Sequence, residues 1–222
     1  YPKNSTSKTY FRTSLGASLS DGAVFTSGKF GSGVEIVSTN NKSRVQVSGN
    51  GVDIGDEWTV TTWFKELYPK GAWRTLSRGK DKDHQVMIKN NSDDVGIYTN
   101  GNGDFRDSGG DLKAGNYKDK WHHLAAVGSG GKTKLYVDGV LVGTSDRQST
   151  SDILSIGNYQ SGGQRFAKYL DDFRVYGVAL TDTNIADVYG SGEGDFGPTA
   201  EITVAGGLDT TVFPIPVTID FK

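Results

Sequence analysis

The 222-residue chain contains no cysteine and a single methionine, Met87. Without thiols, disulfides do not hold this fold together and thiol chemistry is excluded, although secreted proteins can also lack cysteine. Long hydrophobic runs are missing as well: none approaches the ~20 residues of a membrane-spanning helix, so membrane insertion is not expected. No charge of one sign dominates. Lys and Arg total 24 against 26 Asp and Glu, which leaves no basic field to attract nucleic acid or an anionic membrane. Glutamate is scarce. Glu35, Glu57, Glu66, Glu193 and Glu201 are the only five, and the other 21 acidic residues are Asp. Aspartate forms turns, disfavours helices and supplies short oxygen ligands for hard cations. What is present in quantity is glycine, 31 residues, roughly twice average usage. That composition predicts strands joined by many tight turns. The chain opens Tyr1-Pro2, and it is read as a processed form or a fragment of a larger protein.

The strongest local signal is the run from Trp121 to Gly143, WHHLAAVGSGGKTKLYVDGVLVG. Asp138-Gly139 between apolar stretches predicts a hairpin with a type I′ turn. In that register Val137 faces Val140 and Leu135 faces Val142 on one side, with Tyr136 and Leu141 on the other. Apolar side chains on both faces predict a central hairpin of a layered sheet. In Trp58 to Phe64, Trp58, Val60 and Phe64 share one face and Trp63 takes the other. Further short strands are expected at Leu76, Val86 to Ile88, Val95 to Tyr98, Ile153 to Ile156 and Tyr169 to Tyr176. Spacing of about ten residues predicts an all-β, antiparallel β-sandwich. Residues 99–120 read as loop-rich, with Phe105, Leu112 and Tyr117 the few apolar anchors. One helix is expected from Asp182 to Tyr189, capped by Thr181 and stopped by Gly190. The domain plan is a lead-in over 1–9, the sandwich over 10–190, a linker over 191–198 and a tail over 199–222. The tail carries two strand patterns, Glu201 to Val204 and Val217 to Phe221. It reads either as the start of a second β domain or as a strand for a sheet edge, its own or a neighbour's.

Six segments in order resemble a laminin G-like, concanavalin A-type jelly roll. They are GKFGSGVEIV (28–37), EWTVTTWFK (57–65), WHHLAAV (121–127), KLYVDGVLVGT (134–144), ILSIGNY (153–159) and YLDDFRVYGVALTDTNIADVYG (169–190). The similarity is to bacterial modules of large secreted or surface proteins. The tail PTAEITV…FPIPVTIDF is similar to the first strands of bacterial Ig-like repeats. The resemblance implies two stacked antiparallel sheets, common use of calcium, and glycan, glycosaminoglycan or protein ligands bound at loops on the rim or on the concave face. It also includes glycosidases. In related glucanases an Asp at the place of Asp171 ligates a structural calcium. By alternation Asp171 shares the core-facing side with Phe173 and Val175, where a carboxylate needs a partner: a metal, or loop N–H donors. Asp172 points the other way, to solvent or Arg174.

Trp73 lies where a loop enters a strand, and an indole there can stack on a sugar ring. Tyr98, Phe105 and Tyr159 are candidates of the same kind. Asp81, Asp83, Asn100, Asp104 and Asp107 form an oxygen-rich set able to bind hydroxyls, directly or through calcium. Each also has an ordinary reading, as packing aromatics or solvated turn residues. Trp58, Trp63 and Trp121 are read as core. Family-type hydrolysis needs Glu-x-Asp-x-Glu on one strand, and no two of the five Glu form it. No G-x-S-x-G elbow accompanies the histidines. His122 and His123 point to opposite faces, and His84 reads as a surface residue. The expected function is non-catalytic binding of a glycan or glycoprotein by an extracellular module, with Ig-like neighbours in the parent chain. Recognition would come from the connections 66–85, 99–111 and 158–167. A structural or assembly role through the tail, and an enzyme accessory or catalytic role, are the alternatives.

Overall fold

The computed structural model describes residues 17–190 and the backbone of 216–218. The lead-in, the linker and the Ig-like pattern of the tail otherwise lie outside the described residues. Strands are numbered in chain order. One sheet runs β1 (Ala17–Ser20), β4 (Arg44–Val47), β13 (Ile153–Ile156), β6 (Arg74–Gly79), β7 (His84–Ile88), β8 (Asp94–Thr99) and β9 (Asp104–Asp111). The second runs β12 (Val140–Ser145), β11 (Lys132–Val137), β10 (His122–Ser129), β5 (Trp58–Leu67), β14 (Ala167–Tyr176), β3 (Ser32–Glu35) and β2 (Val24–Ser27). β15 (Pro216–Thr218) adds to β14 at Arg174 to Tyr176, so the described part of the tail pairs with its own sheet.

The fold class is the expected antiparallel β-sandwich. Trp58, Val60 and Phe64 bury one face of β5 against Val45, Leu76, Val86 and Val95 of the other sheet. Trp63 takes the opposite face, as alternation requires, and stacks on Tyr189 with ring centroids 5.7 Å apart. Tyr189 belongs to the helix α1 (Asp182–Gly190). Thr181 caps it: its Oγ1 accepts the Asn184 N–H at 3.2 Å. Ile185 packs with Ala125, Val127, Tyr136 and Tyr176 in a second apolar cluster, outside the larger sheet.

Five expectations fail. The Asp138-Gly139 turn forms, with φ of 49° and 79°, but its hairpin lies at a sheet edge, not the centre. Val140 is 65% exposed and Leu141 44%. A bulge at Leu135/Tyr136 sets Leu135 opposite Gly143, not Val142. A second bulge, between Asp171 and Arg174 in β14, includes Asp172 at φ 49°. It sets Asp171 opposite Trp63, hence on the outer face, while Leu170 and Phe173 enter the core. Trp121 is half-buried outside the core, beside Tyr169 and Lys65. Residues 99–120 are not simply loop, because β9 crosses them.

Candidate functional site

The sheet of β6, β7, β8 and β9 turns one face to the core and the other outward. Val86, Ile88 and Val95 are core residues. A bulge in β7 then places His84 opposite Tyr98 and Met87 opposite Gly96, and directly paired residues share a face. The same logic puts Phe105, paired with Tyr98, and Asp107, paired with Gly96, on the outer side. Gly96 allows close approach here: a Cβ would strike the Arg106 carbonyl and meet Phe105 Cζ at 3.0 Å. The Phe105 ring therefore leans over Gly96, where it meets Trp73 at 5.5 Å.

A second group of rings lies on the same face, next to this pair through the Tyr98–Phe105 strand pairing. Tyr98 stands edge-on to His84 at 5.6 Å, and His84 lies 5.9 Å from Tyr159. The Arg78 guanidinium sits over Tyr159 at 4.8 Å. Tyr159 belongs to a connection held against the sheet by Asn158. That amide donates to the carbonyls of Asn41 at 2.8 Å and Ser43 at 3.0 Å, and its oxygen accepts the Gln164 N–H at 2.9 Å. Trp73, Tyr98, Phe105 and Tyr159 are all half-buried, so four aromatics chosen from sequence do come together.

His84, expected at the surface, is only 5% exposed. Burial, then the Arg78 charge, push its pKa down to about 3, so the ring is neutral at pH 7. Its Nδ1 lies 3.0 Å from Thr75 Oγ1, which donates its single proton to Gln164 Oε1 at 2.8 Å. Nδ1 is then the protonated nitrogen, and Nε2 is left as an acceptor. Sequence reading missed Arg78, Thr75, Gln160 and Gln164. The available signal was an Arg and a His in short apolar strands flanking the charged turn Lys80 to Asp83.

The acidic set divides. Asp107 shares the aromatic face, where its carboxylate accepts the Gly109 N–H at 2.8 Å. The others serve the loops. Asp81 accepts from Ser151 Oγ at 3.1 Å. Asp83 accepts from the Asn100 N–H at 2.7 Å and Ser149 Oγ at 2.8 Å. Asp104 pairs with Arg106 at 2.9 Å and Arg147 at 3.4 Å. Asn100 is an exposed turn residue.

Asp171 is 4% exposed, and its Oδ2 and Oδ1 accept the N–H groups of Phe30 at 2.8 Å and Asp172 at 2.7 Å. Burial raises its pKa, and the backbone donors oppose that rise. Asp172 pairs with Arg174 Nε at 2.7 Å. Among the described residues no three His, Asp or Glu side chains gather into a metal cluster. A calcium at Asp171 would therefore draw most of its ligands from backbone carbonyls or water. The histidines of the larger sheet face opposite ways, as expected: His122 Nδ1 meets Asp138 at 2.7 Å, while His123 packs on Trp63 at 5.2 Å.

A laminin G-type family profile, described as the concanavalin A-like lectin/glucanases superfamily, matches residues 39–186. The chain belongs to the concanavalin A-like superfamily. Among curated proteins no sequence matches it. Solved structures place the concanavalin A-like fold in several settings. Domain 4 of AbnA, a GH43 extracellular arabinanase from Geobacillus stearothermophilus solved with arabinotriose, is 19% identical; the match covers 75% of this chain and 81% of that one, at a TM-score of 0.55. The binding domain of botulinum neurotoxin DC, solved with SialylT, is 11% identical, covering 81% of this chain and 46% of that one, at 0.58. The sialidase of Trypanosoma rangeli, solved with the inhibitor DANA, is 12% identical, covering 79% and 29%, at 0.58. This concanavalin A-like chain thus spans under half of the toxin domain and under a third of the sialidase. No helix among the described residues is long and apolar enough to cross a membrane.

Proposed function

We propose that this is a non-catalytic carbohydrate-binding module that grips a glycan on the outer face of the β6–β9 sheet. The observation that carries it is the group Trp73, Phe105, Tyr98 and Tyr159 beside a floor of hydrogen-bonding side chains. Aromatic faces stack on the apolar side of pyranose or furanose rings, while polar groups fix orientation through hydroxyls. Two neighbours of this fold were solved with saccharide-type ligands, arabinotriose and SialylT, which supports the reading. Non-catalysis is supported by the use of Asp81, Asp83 and Asp104 in holding loops and side chains. A glycosidase instead holds two carboxylates about 5–10 Å apart across the bond. An extracellular setting, adhesion as the purpose, and a structural calcium at Asp171 belong to the same proposal. Calcium is supported by the burial of that carboxylate, a cost a cation would offset.

A glycan array tests the reading, followed by titration of the best binder against Trp73→Ala and Phe105→Ala. Each variant is expected to weaken binding about tenfold or more, as loss of a stacking aromatic at a hot spot does. Binding to no sugar, or full affinity in both variants, rejects it.

A further inference from the structure

We infer that the group recognised at the centre of this face is an oxyanion, the carboxylate or sulfate of an acidic glycan, paired with Arg78. The inference rests on the glycan reading and narrows it to a charge class.

The argument is an internal comparison of three buried arginines. Arg74, 1% exposed, meets Asp93 at 3.2 Å and also donates to the Ser92 carbonyl and, at 3.3 Å, to that of Tyr68. Arg174 is paired with Asp172 at 2.7 Å. Arg78 is as buried as Arg74, at 1%. Yet no salt bridge to it is formed among the described residues. Its Nη1 donates to the neutral Gln160 Oε1; its Nε has no partner, which is equally true of Arg74, so the difference lies in the missing carboxylate. The fold gives two of its buried guanidinium groups a carboxylate and the third an amide.

The surroundings do not repair that deficit. His84 lies across the strand pair from Arg78 and is neutral. Tyr159 supplies a ring face. Asp83 is the acid whose field reaches Arg78, but both its oxygens are committed to Asn100 and Ser149. A buried charge without a counter-ion is costly, and a ligand that brings the counter-ion recovers that cost as affinity. A guanidinium offers a rigid fork that suits planar carboxylates and sulfate edges bidentately.

Access runs through Gln160. Its half-buried side chain ends in the amide that covers Nη1. Moving a terminal amide aside leaves the backbone of this connection anchored by Asn158. An incoming oxyanion can then take the place of Oε1 on Nη1 and bridge to Nη2 along the end of the guanidinium, beside the sugar ring stacked on Tyr159.

Two matched ligand pairs test this by calorimetry: oligogalacturonate against its carboxyl-reduced product, and dextran sulfate against dextran. The acidic member of at least one pair is expected to bind about tenfold to a hundredfold more tightly, as a charge-assisted bidentate contact would provide. The responding pair identifies the oxyanion. Gln160→Glu supplies Arg78 with an internal carboxylate. It is expected to raise the melting temperature and bring the acidic-to-neutral ratio towards one. Arg78→Lys, checked for folding by its melting curve, keeps the charge but loses the fork and is expected to lower the same ratio. Equal affinity within both pairs, or an undiminished ratio in Gln160→Glu, overturns the inference. If neutral glycans still bind through Trp73, the carbohydrate reading survives that failure. If nothing on these panels or on the array binds, both fall.

Discussion

At the scale of single residues, position in a bulge matters as much as residue type. Asp171 was expected on the core side, and its neighbour Asp172, at φ 49°, turns it out against Trp63 and the Phe30 N–H. There the carboxylate is buried, close-packed and held by N–H donors; a Cβ at Gly28 would overlap its Oδ2. If calcium joins this site, it binds the folded state and must stabilise it. At a concentration a hundred times its Kd the gain is about 2.7 kcal/mol, or a rise of about 5–10 °C in Tm for a domain of this size. Differential scanning calorimetry in calcium and in chelator checks this. Asp171→Asn is expected to abolish the difference while the protein still unfolds cooperatively. Identical melting of the parent protein in both buffers removes calcium from the account.

At the scale of elements, alternation and turn chemistry were readable and irregularities were not. The Asp138-Gly139 turn, the two faces of β5 and the Thr181 cap each follow from local rules. The bulges in β7, β12 and β14 depend on which strands pair, and a sequence displays no pairing. β9 was hidden for a related reason. Its sequence, DFRDSGGD, carries turn formers, and it forms a strand because β8 offers an edge and Ser108 Oγ donates to the Val95 carbonyl at 2.7 Å. Tertiary context overrode propensity there. Half of the candidate face was legible for the same reasons: exposed-looking aromatics announce themselves, whereas an Arg and a His on an outward strand face suggest solvent. What buries Arg78 and His84 is the 157–166 connection, which is distant in sequence. Asn158 fastens that connection by three hydrogen bonds. Asn158→Ala should therefore cost about 2–4 kcal/mol, since each buried bond left half-made costs about 1–3 kcal/mol and the partners relax in part. Chemical denaturation reads the stability, and glycan titration should show a parallel loss through displaced Tyr159. Unchanged stability would mean that the connection is held by other contacts.

At the scale of the whole molecule, the two sheets keep two histidines out of water, and this couples the fold to pH. Burial, with a nearby arginine, lowers His84 to about 3; burial also lowers His123 to about 4, where Asp138 opposes the shift and Arg174 adds to it. Both rings are held neutral in the folded state, while the unfolded chain takes up protons near pH 6.5. Between about pH 6.5 and 4 the unfolded state therefore binds more protons, and stability falls as pH falls. The slope is on the order of 1 kcal/mol per pH unit for each ring. Asp171 has the opposite sign: its raised pKa favours the folded state below the unfolded value of 3.8 and loses that contribution as pH rises through its folded value. Its contribution therefore opposes that of the histidines. Urea unfolding at pH 7, 6 and 5 is expected to show a steady loss, and His84→Gln or His123→Gln should each remove about half of the slope. Stability that stays level from pH 7 to 5 would show that both rings accept a proton in place, and the neutral His84 acceptor beside Arg78 would then have to be given up.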